Sequence, residues 1–484
     1  MMLTLADAIE GLTNTRPQAG ERRPISGVVV DSRQVQPGAL FVALPGERTD
    51  GHAFVADAFR RGAIAAIIDR DLDVGCHILD TTVAAASPAA DLKLEPPLCL
   101  KVANSLQGLQ ALAAFWRRKF QARVIGITGS VGKTSTKELA WAVLSRRFKT
   151  LKSPGNMNNE IGLPLTLLQL DEGYERVILE MGMYDLGEIA LLCDIAQPQV
   201  GLVTNIGPVH LERLKTIERI TQAKTELVEN LPQDGQAILN YDDARVRAMR
   251  AVAPDQVFTY GLSPQADLWA GDITSEGLKG IRFVLHHGRE TRHARAPLLG
   301  RHSVHTALGA TAIGLAEGLS WEEIMTGLTS SAIQLRLVAV PGPKGSTILD
   351  DTYNASPAST IAALNLLAEI PAQRRIAVLA DMMELGDYEI EGHRKVGCRA
   401  AAVVDLLLTL GPRARHIASE ALACGLDQTA IREFDDPDTT AGHLLALVEA
   451  GDVILVKGSR ALKVETIVWA LSQVADAQKL SKAS

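Results

Sequence analysis

Val124–Thr134 reads VIGITGSVGKT, an apolar run that enters a glycine loop and ends in Lys-Thr. That order predicts a buried strand, a tight turn and then a helix. Backbone N–H groups of such a loop, with those of the helix's first turn, form a concave anion site. Lys133 adds positive charge for the outer phosphates, and the Thr134 hydroxyl is able to ligate Mg²⁺. Only Ser130 and Val131 separate Gly129 from Gly132, a shorter gap than the usual phosphate loop has. A plain strand-to-helix glycine turn is the bland alternative, but Gly-Lys-Thr in this setting favours a nucleoside-triphosphate loop over Thr128–Thr134.

Outward from the loop, a helix is predicted at Lys133–Leu144 and strand-like runs recur at Arg176–Glu180 and Gln199–Asn205. Alternating strands and helices imply a parallel sheet with both faces covered. Around Asp267–Leu299 short alternating runs such as Ile281–Leu285 predict a small antiparallel addition, followed by helices at Val304–Glu317 and Trp321–Leu328. A third block restarts the alternation. Its strands are expected at Thr347–Asp350, Arg375–Ala380, Leu406–Leu410 and Val453–Val456. Helices are expected at Ala358–Glu369, Glu389–Val404, Thr439–Glu449 and Leu462–Ala477, giving a doubly wound, Rossmann-like unit. The N-terminal part mixes short apolar runs (Gly27–Val30, Ala39–Leu44, Ala63–Ile68) with turns, and Ala84–Pro97 reads as an edge loop. The expected fold is α/β in three domains: a small α/β unit at 1–102, a central parallel sheet with its antiparallel add-on at 103–334, and a Rossmann-like unit at 335–484.

Composition narrows the class. Apolar residues make up 47% and charged residues 22%, as a globular protein with a full core requires. The net charge of −7, without any basic block, argues against nucleic acid as a partner. The N-terminus MMLTLADAIEGL lacks a basic leader, and no apolar run is long enough to insert in a membrane. Five scattered cysteines without a CxxC pair are expected to be free thiols in a reducing cytoplasm, with no zinc site and no disulfide.

Ligands of open α/β sheets gather beyond the carboxyl ends of the strands. There the central block offers Thr134, Glu180 and His210, a set suited to one or two Mg²⁺ ions on phosphate oxygens. Singly, Glu180 reads as a solvated strand end and His210 as a loop histidine; their joint placement opens the metal role. Lys224, in the helical run Thr221–Leu227, reads by itself as a solvated lysine. Asn156, Asn158 and Asn159 are either turn formers or donors and acceptors for a polar ligand. In the third block Asp351-Thr352-Tyr353-Asn354, Asp381-Met382-Met383-Glu384 and Lys457-Gly458-Ser459-Arg460 follow strand ends. Lys457 and Arg460 are able to meet a carboxylate or phosphate.

These stretches resemble the Mur ligases of peptidoglycan synthesis, over essentially the whole chain. The likeness rests on TGSVGKT (Thr128–Thr134), GNMNNEIGLP (Gly155–Pro164), His210-Leu211-Glu212 and Ala223-Lys224-Thr225-Glu226. It extends to LDDTYNASP (Leu349–Pro357), DMMELG (Asp381–Gly386), VKGSR (Val456–Arg460) and the N-terminal Asp31–Phe54. The asparagine cluster, DDTYNASP and DMMELG point within the family to the type that adds D-Ala-D-Ala to UDP-N-acetylmuramoyl-tripeptide. The resemblance implies ATP and Mg²⁺ as cofactors. It implies that Thr128, Gly129, Ser130, Val131, Gly132, Lys133 and Thr134 cradle the phosphates. Thr134, Glu180, His210 and Lys224, the last as a carbamate, would hold metal. Arg336, Asp351 and Tyr353 would reach the nucleotide, with Lys133, Glu180, His210, Lys224 and Arg336 as the catalytic set. Asp31, Ser32, Arg33, Asp50, Gly51 and His52 would contact the UDP-sugar. Asn156, Asn158, Asn159, Lys457 and Arg460 would serve the peptide substrates.

Two departures stand out. The family's His-Asn-x-x-Asn is His302-Ser303-Val304-His305-Thr306 here, and the usual Pro-Gly before Arg336 is Gln334-Leu335. The expected activity is an ATP-driven amide ligation through an acyl phosphate, by a cytoplasmic monomer. Another Mur-type ligase with a different amine, or a phosphate-loop NTPase or kinase without amide chemistry, are the alternatives.

Overall fold

The computed structural model describes residues 2–17, 23–46, 49–82, 95–330 and 337–483, with side chains as far as residue 478. Arg336 and its preceding Gln334-Leu335, and most of the Ala84–Pro97 stretch, lie outside the described residues.

Among the described residues the strands form three sheets. The first runs in the order Val28–Val29, Leu40–Val42, Ala65–Ile68, Leu98–Lys101, His77–Asp80, parallel throughout. The second has nine strands. Its parallel part is ordered Gln256–Gly261, Gln236–Asn240, Val200–Val203, Arg123–Thr128, Arg176–Glu180, Thr150–Lys152. Leu268–Ser275 joins the open edge in parallel and then pairs antiparallel with Ile281–His287, which pairs with Glu290–Ala296. The antiparallel addition is therefore an extension of the main sheet. The third sheet is ordered Val338–Pro341, Thr347–Asp351, Val453–Lys457, Arg375–Ala380, Leu406–Leu410, Ile431–Phe434, antiparallel only at its first strand.

Successive strand residues point to opposite faces, so an unbroken apolar strand feeds two cores at once. Val124, Val177 and Leu179 pack into one layer, while Ile125, Ile127 and Ile178 pack into the other. The third unit repeats the device, with Leu349, Leu379 and Leu455 against one face and Ile348, Val378 and Ile454 against the other.

The first core does not stop at the domain boundary. Helix Ser105–Arg117 buries Leu109, Leu112 and Trp116 in a cluster shared by Leu40, Ile67 and Leu100 of the first sheet and Val124 and Leu179 of the second. Its buried Arg117 donates to the carbonyls of Ala196 and Phe120, and Trp116 Nε1 donates to Leu170 O. This helix joins the N-terminal and central units through a common apolar interior.

Cysteine usage differs from the expectation. Cys398 and Cys424 are joined as a disulfide, with Cα atoms 5.3 Å apart. The two positions lie on helix Glu389–Ala401 and just beyond helix Arg415–Ala423, which pack side by side, so a pairing invisible in the spacing is set by tertiary packing. Cys76, Cys99 and Cys193 are free. No helix among the described residues is long and apolar enough to cross a membrane.

Candidate active site

The register sets the site. In the central sheet Ile127 stands opposite Glu180 and Thr128 opposite Val203, so the glycine loop, Glu180 and Thr204-Asn205 emerge together at one edge. Gly129 has φ 142°, and a Cβ there would collide with the Thr204 hydroxyl, so only glycine lets the loop pass this neighbour. Asn205 clamps the loop: its Oδ1 accepts from Val131 N at 3.0 Å and its Nδ2 donates to Val131 O at 2.8 Å. Ser130 Oγ donates to Gly207 O and accepts from Gly207 N. Helix Lys133–Leu144 starts at Gly132 without a side-chain cap, leaving its first amides for a ligand.

Lys133 Nζ donates to Gly129 O at 2.7 Å, curling over the loop. Thr134 Oγ1 donates to Glu180 Oε2 at 2.7 Å, and Asn158 Nδ2 donates to Glu180 Oε1 at 2.9 Å. Behind them Lys137, fully buried, donates to Ser153 O and Gly155 O and lies 4.0 Å from Glu180. Glu180 N is held in turn by Ser153 Oγ at 3.0 Å. Lys224 is buried on helix Ile217–Glu229, which approaches the sheet where Gly126 leaves room for Leu227. Burial, and then the charge of Lys133, hold the Lys224 pKa well below the usual lysine range, which favours a neutral amine.

A cleft of about 380 Å³ separates this edge from the third sheet, and Lys133, Thr134, His210, Asp351, Tyr353 and Lys457 all line it. His302 lines it as well, with Ser303 and Thr306, the two positions where the sequence departs from the family pattern. Lys457 stands opposite Asp351 in register and pairs with it at 2.6 Å, also donating to Asn354 O at 2.9 Å. The two residues expected to serve different ligands thus hold each other. His210 opens the short helix Leu211–Leu214 and brings its Nδ1 within 2.6 Å of Glu384 Oε2, off the axis of a hydrogen bond. His210 holds the Glu384 carboxyl below its usual range.

Other expected residues are placed elsewhere. Asn159 Oδ1 accepts from Gly162 N at the start of helix Gly162–Leu167, and the Asn156 carbonyl accepts from Asn158 N. Arg33 grips Asp31 at 3.0 Å and 2.8 Å, pulling its carboxyl down to about 2, and Ser32 beside them is buried. His52, which follows Gly51, is buried between Asp50 and Asp69, its Nδ1 2.7 Å from Asp50 Oδ1 and its Nε2 accepting from Asp69 N. Arg460 lies 5.9 Å from the ring of Tyr353.

Lys137 is the site residue that sequence reasoning missed, while Asn205 and Glu384 read as residues at strand ends with no role. Lys137 repeats Lys133 one helical turn on, the single hint that it shares the same face.

The turn carrying Glu384 is pinned from behind. Met382 N donates to His393 Nε2 at 3.0 Å, His393 Nδ1 contacts Glu389 O at 2.7 Å, and Met383 N donates to Ser459 Oγ at 2.9 Å. Nε2 accepts, so His393 is neutral, and burial lowers its pKa. The unfolded chain therefore takes up this proton first as pH falls. Stability should decline below about pH 6.5, at up to about 1.4 kcal/mol per pH unit for one proton. Denaturant titrations from pH 8 to pH 5 should give His393→Gln a flatter profile than the native chain.

Three family models match in chain order: "Mur ligase family, catalytic domain" at 24–119, "Mur ligase middle domain" at 127–314 and "Mur ligase, glutamate ligase domain" at 335–460. The UDP-N-acetylmuramoyl-tripeptide–D-alanyl-D-alanine ligase of Synechocystis sp. is 36% identical over 452 residues, 92% of this chain and 91% of that protein. The protein of the same name from Escherichia coli strain K12 is 35% identical, over 93% of this chain and 94% of its own. Among solved structures, MurF from Acinetobacter baumannii aligns with a TM-score of 0.83 at 29% identity, covering 97% of this chain and 99% of that one. MurF ligase from Thermotoga maritima, in complex with ADP, aligns at 0.78 and 29%, covering 93% and 98%. A glycine loop facing a second nucleotide-type sheet across one cleft, together with likeness along nearly the full length, makes this chain a member of the Mur ligase family.

Proposed function

We propose that this chain is an ATP-dependent ligase that joins the terminal carboxylate of UDP-N-acetylmuramoyl-tripeptide to the amine of D-Ala-D-Ala. The observation that carries the reading is the single cleft in which Lys133 and Thr134 of one sheet edge face Asp351, Tyr353 and Lys457 of another. Such a cleft brings a triphosphate and two further substrates to one spot, and the relatives named for this reaction align over 92% and 93% of the chain.

A carboxylate is a poor electrophile, so it must first be activated. Its oxygen attacks the γ-phosphorus of ATP, forming an acyl phosphate and releasing ADP. The dipeptide amine then attacks the acyl carbon, an amide bond forms, and phosphate leaves with the proton passing to solvent. The chain's own task is positioning and charge neutralisation. Loop amides and Lys133 hold the β- and γ-phosphates. Arg336, outside the described residues, takes a further cationic role at the nucleotide, with Asp351 and Tyr353. Asp31, Ser32, Arg33 and the Asp50–His52 turn serve the UDP-sugar, while the asparagine cluster, Lys457 and Arg460 serve the peptides. Closure of the three units (1–102, 103–334, 335–484) over the acyl phosphate keeps water from hydrolysing it.

The donor chemistry fits Mg²⁺. A hydroxyl and a carboxylate 2.7 Å apart present hard oxygens at the phosphate loop, and the lowered pKa of Lys224 suits conversion to a carbamate. Thr134, Glu180, His210 and carbamylated Lys224 would hold the ion, which supplies positive charge to offset that of the phosphates. The nucleotide-linked substrates and the lack of a basic block favour a cytoplasmic enzyme acting as a monomer without nucleic acid.

Purified protein should be given ATP, Mg²⁺, UDP-N-acetylmuramoyl-tripeptide and D-Ala-D-Ala, and the products weighed. The reading requires the UDP-linked pentapeptide, one ADP per amide, and little ATP hydrolysis without the UDP-sugar. Hydrolysis or phosphoryl transfer independent of the UDP-sugar would replace it with a simple NTPase or kinase.

A further inference from the structure

Two turns from different sheets meet at His210 and Glu384. Both residues have left-handed backbones, φ 55° and φ 65°, a conformation side-chain-bearing residues rarely adopt. Glu212 N donates across the junction to Glu384 O at 3.2 Å. Gly386 passes so close that a Cβ there would stand 3.1 Å from the Leu211 carbonyl. His393 and Ser459 hold the same turn from its other side. The Glu384 side chain is thus presented to His210 by a rigid, buried support.

We infer that Glu384 is a positioning residue by which the C-terminal unit sets the tautomer and aim of the His210 imidazole. A carboxylate 2.6 Å from Nδ1, though off the hydrogen-bond axis, draws the ring proton to that nitrogen by its charge. Nε2 is then the lone pair available to a cation in the cleft that His210, Lys133 and Thr134 line. Histidines that ligate metals commonly present their other ring nitrogen to a carboxylate. Here the carboxylate comes from another domain. His210 is oriented for ligation when the C-terminal unit is docked, so docking and completion of the nucleotide site are coupled. This inference rests on the reading of His210 as a ligand under the proposed function.

The test uses the full chain with Mn²⁺ and a non-hydrolysable ATP analogue as probe, comparing Glu384→Ala, Glu384→Asp and His210→Ala with the native protein. Electron spin-echo modulation detects nitrogen bound to Mn²⁺, and hydrogen exchange of the segment 211–215 reports docking through the Glu212 amide. The native protein should show nitrogen modulation, and His210→Ala should lose it. Glu384→Ala should weaken the modulation and raise the Mn²⁺ dissociation constant by about 10-fold or more, with partial rescue in Glu384→Asp. Faster exchange at 211–215 accompanying that loss would support the coupling. Unchanged modulation and affinity in Glu384→Ala, with or without faster exchange, would overturn the positioning role and leave the ligand reading intact. Absence of modulation in the native protein would remove the ligand reading itself, and this inference with it.

Discussion

Lys133→Ala should lower kcat for the ligation by on the order of 10³-fold while leaving the fold near native. The loop does not depend on this side chain for its shape. Asn205, Thr204 and Ser130 hold Val131 and the loop backbone, and Lys133 contributes contacts to Gly129 O and Ser130 O from a partly exposed position. What would be lost, on the proposed reading, is a positive charge for the phosphates in a recessed cleft, where charge is worth more than in open water. Helix content and the thermal midpoint should therefore stay close to those of the native chain as turnover collapses. An alanine variant retaining a tenth of native turnover would show that phosphate neutralisation lies elsewhere.

Glu180→Gln is the second large effect, with kcat expected to fall by about 10²-fold and the Mg²⁺ requirement to rise at least tenfold. The amide keeps the shape of the side chain and removes its charge. Lys137 retains Glu138 at 3.2 Å and the carbonyls of Ser153 and Gly155, so no buried ammonium is stranded. Thr134 and Asn158 lose a charged acceptor, each an interaction stronger than a neutral hydrogen bond. Magnesium titrations of initial rate, beside thermal melts, separate the two consequences. A variant that needs no more Mg²⁺ than the native protein would argue against Glu180 as a ligand.

How far the chain is readable depends on burial and register. Arg176–Glu180, Arg375–Ala380 and Leu406–Leu410 are interior strands covered on both faces, so each is built on a short, mostly apolar run. Thr150–Lys152, Val338–Pro341 and Ile431–Phe434 are edge strands, and Glu290–Ala296 carries two arginines and a histidine on an outer hairpin. Their pattern is set by neighbours the sequence does not display. The site follows the same division. Thr134 and Glu180 are legible because one follows and the other ends an interior strand in a sheet of recognisable kind. The Asp351–Lys457 pair is not, since it depends on Thr347–Asp351 lying beside Val453–Lys457 across more than a hundred residues. Lys137 imitates an ordinary surface lysine until helix Lys133–Leu144 is laid against Ser153 and Glu180. Glu384 meets His210 only because two domains dock.

The most direct measurement follows oxygen. The tripeptide's terminal carboxylate is labelled with oxygen-18, the full reaction is run, and the released phosphate is analysed by mass. Activation through an acyl phosphate at this cleft predicts that one labelled oxygen moves into phosphate for each amide formed. Phosphate free of label, with product still accumulating, would mean that the carboxylate never attacked the γ-phosphorus and would contradict the account.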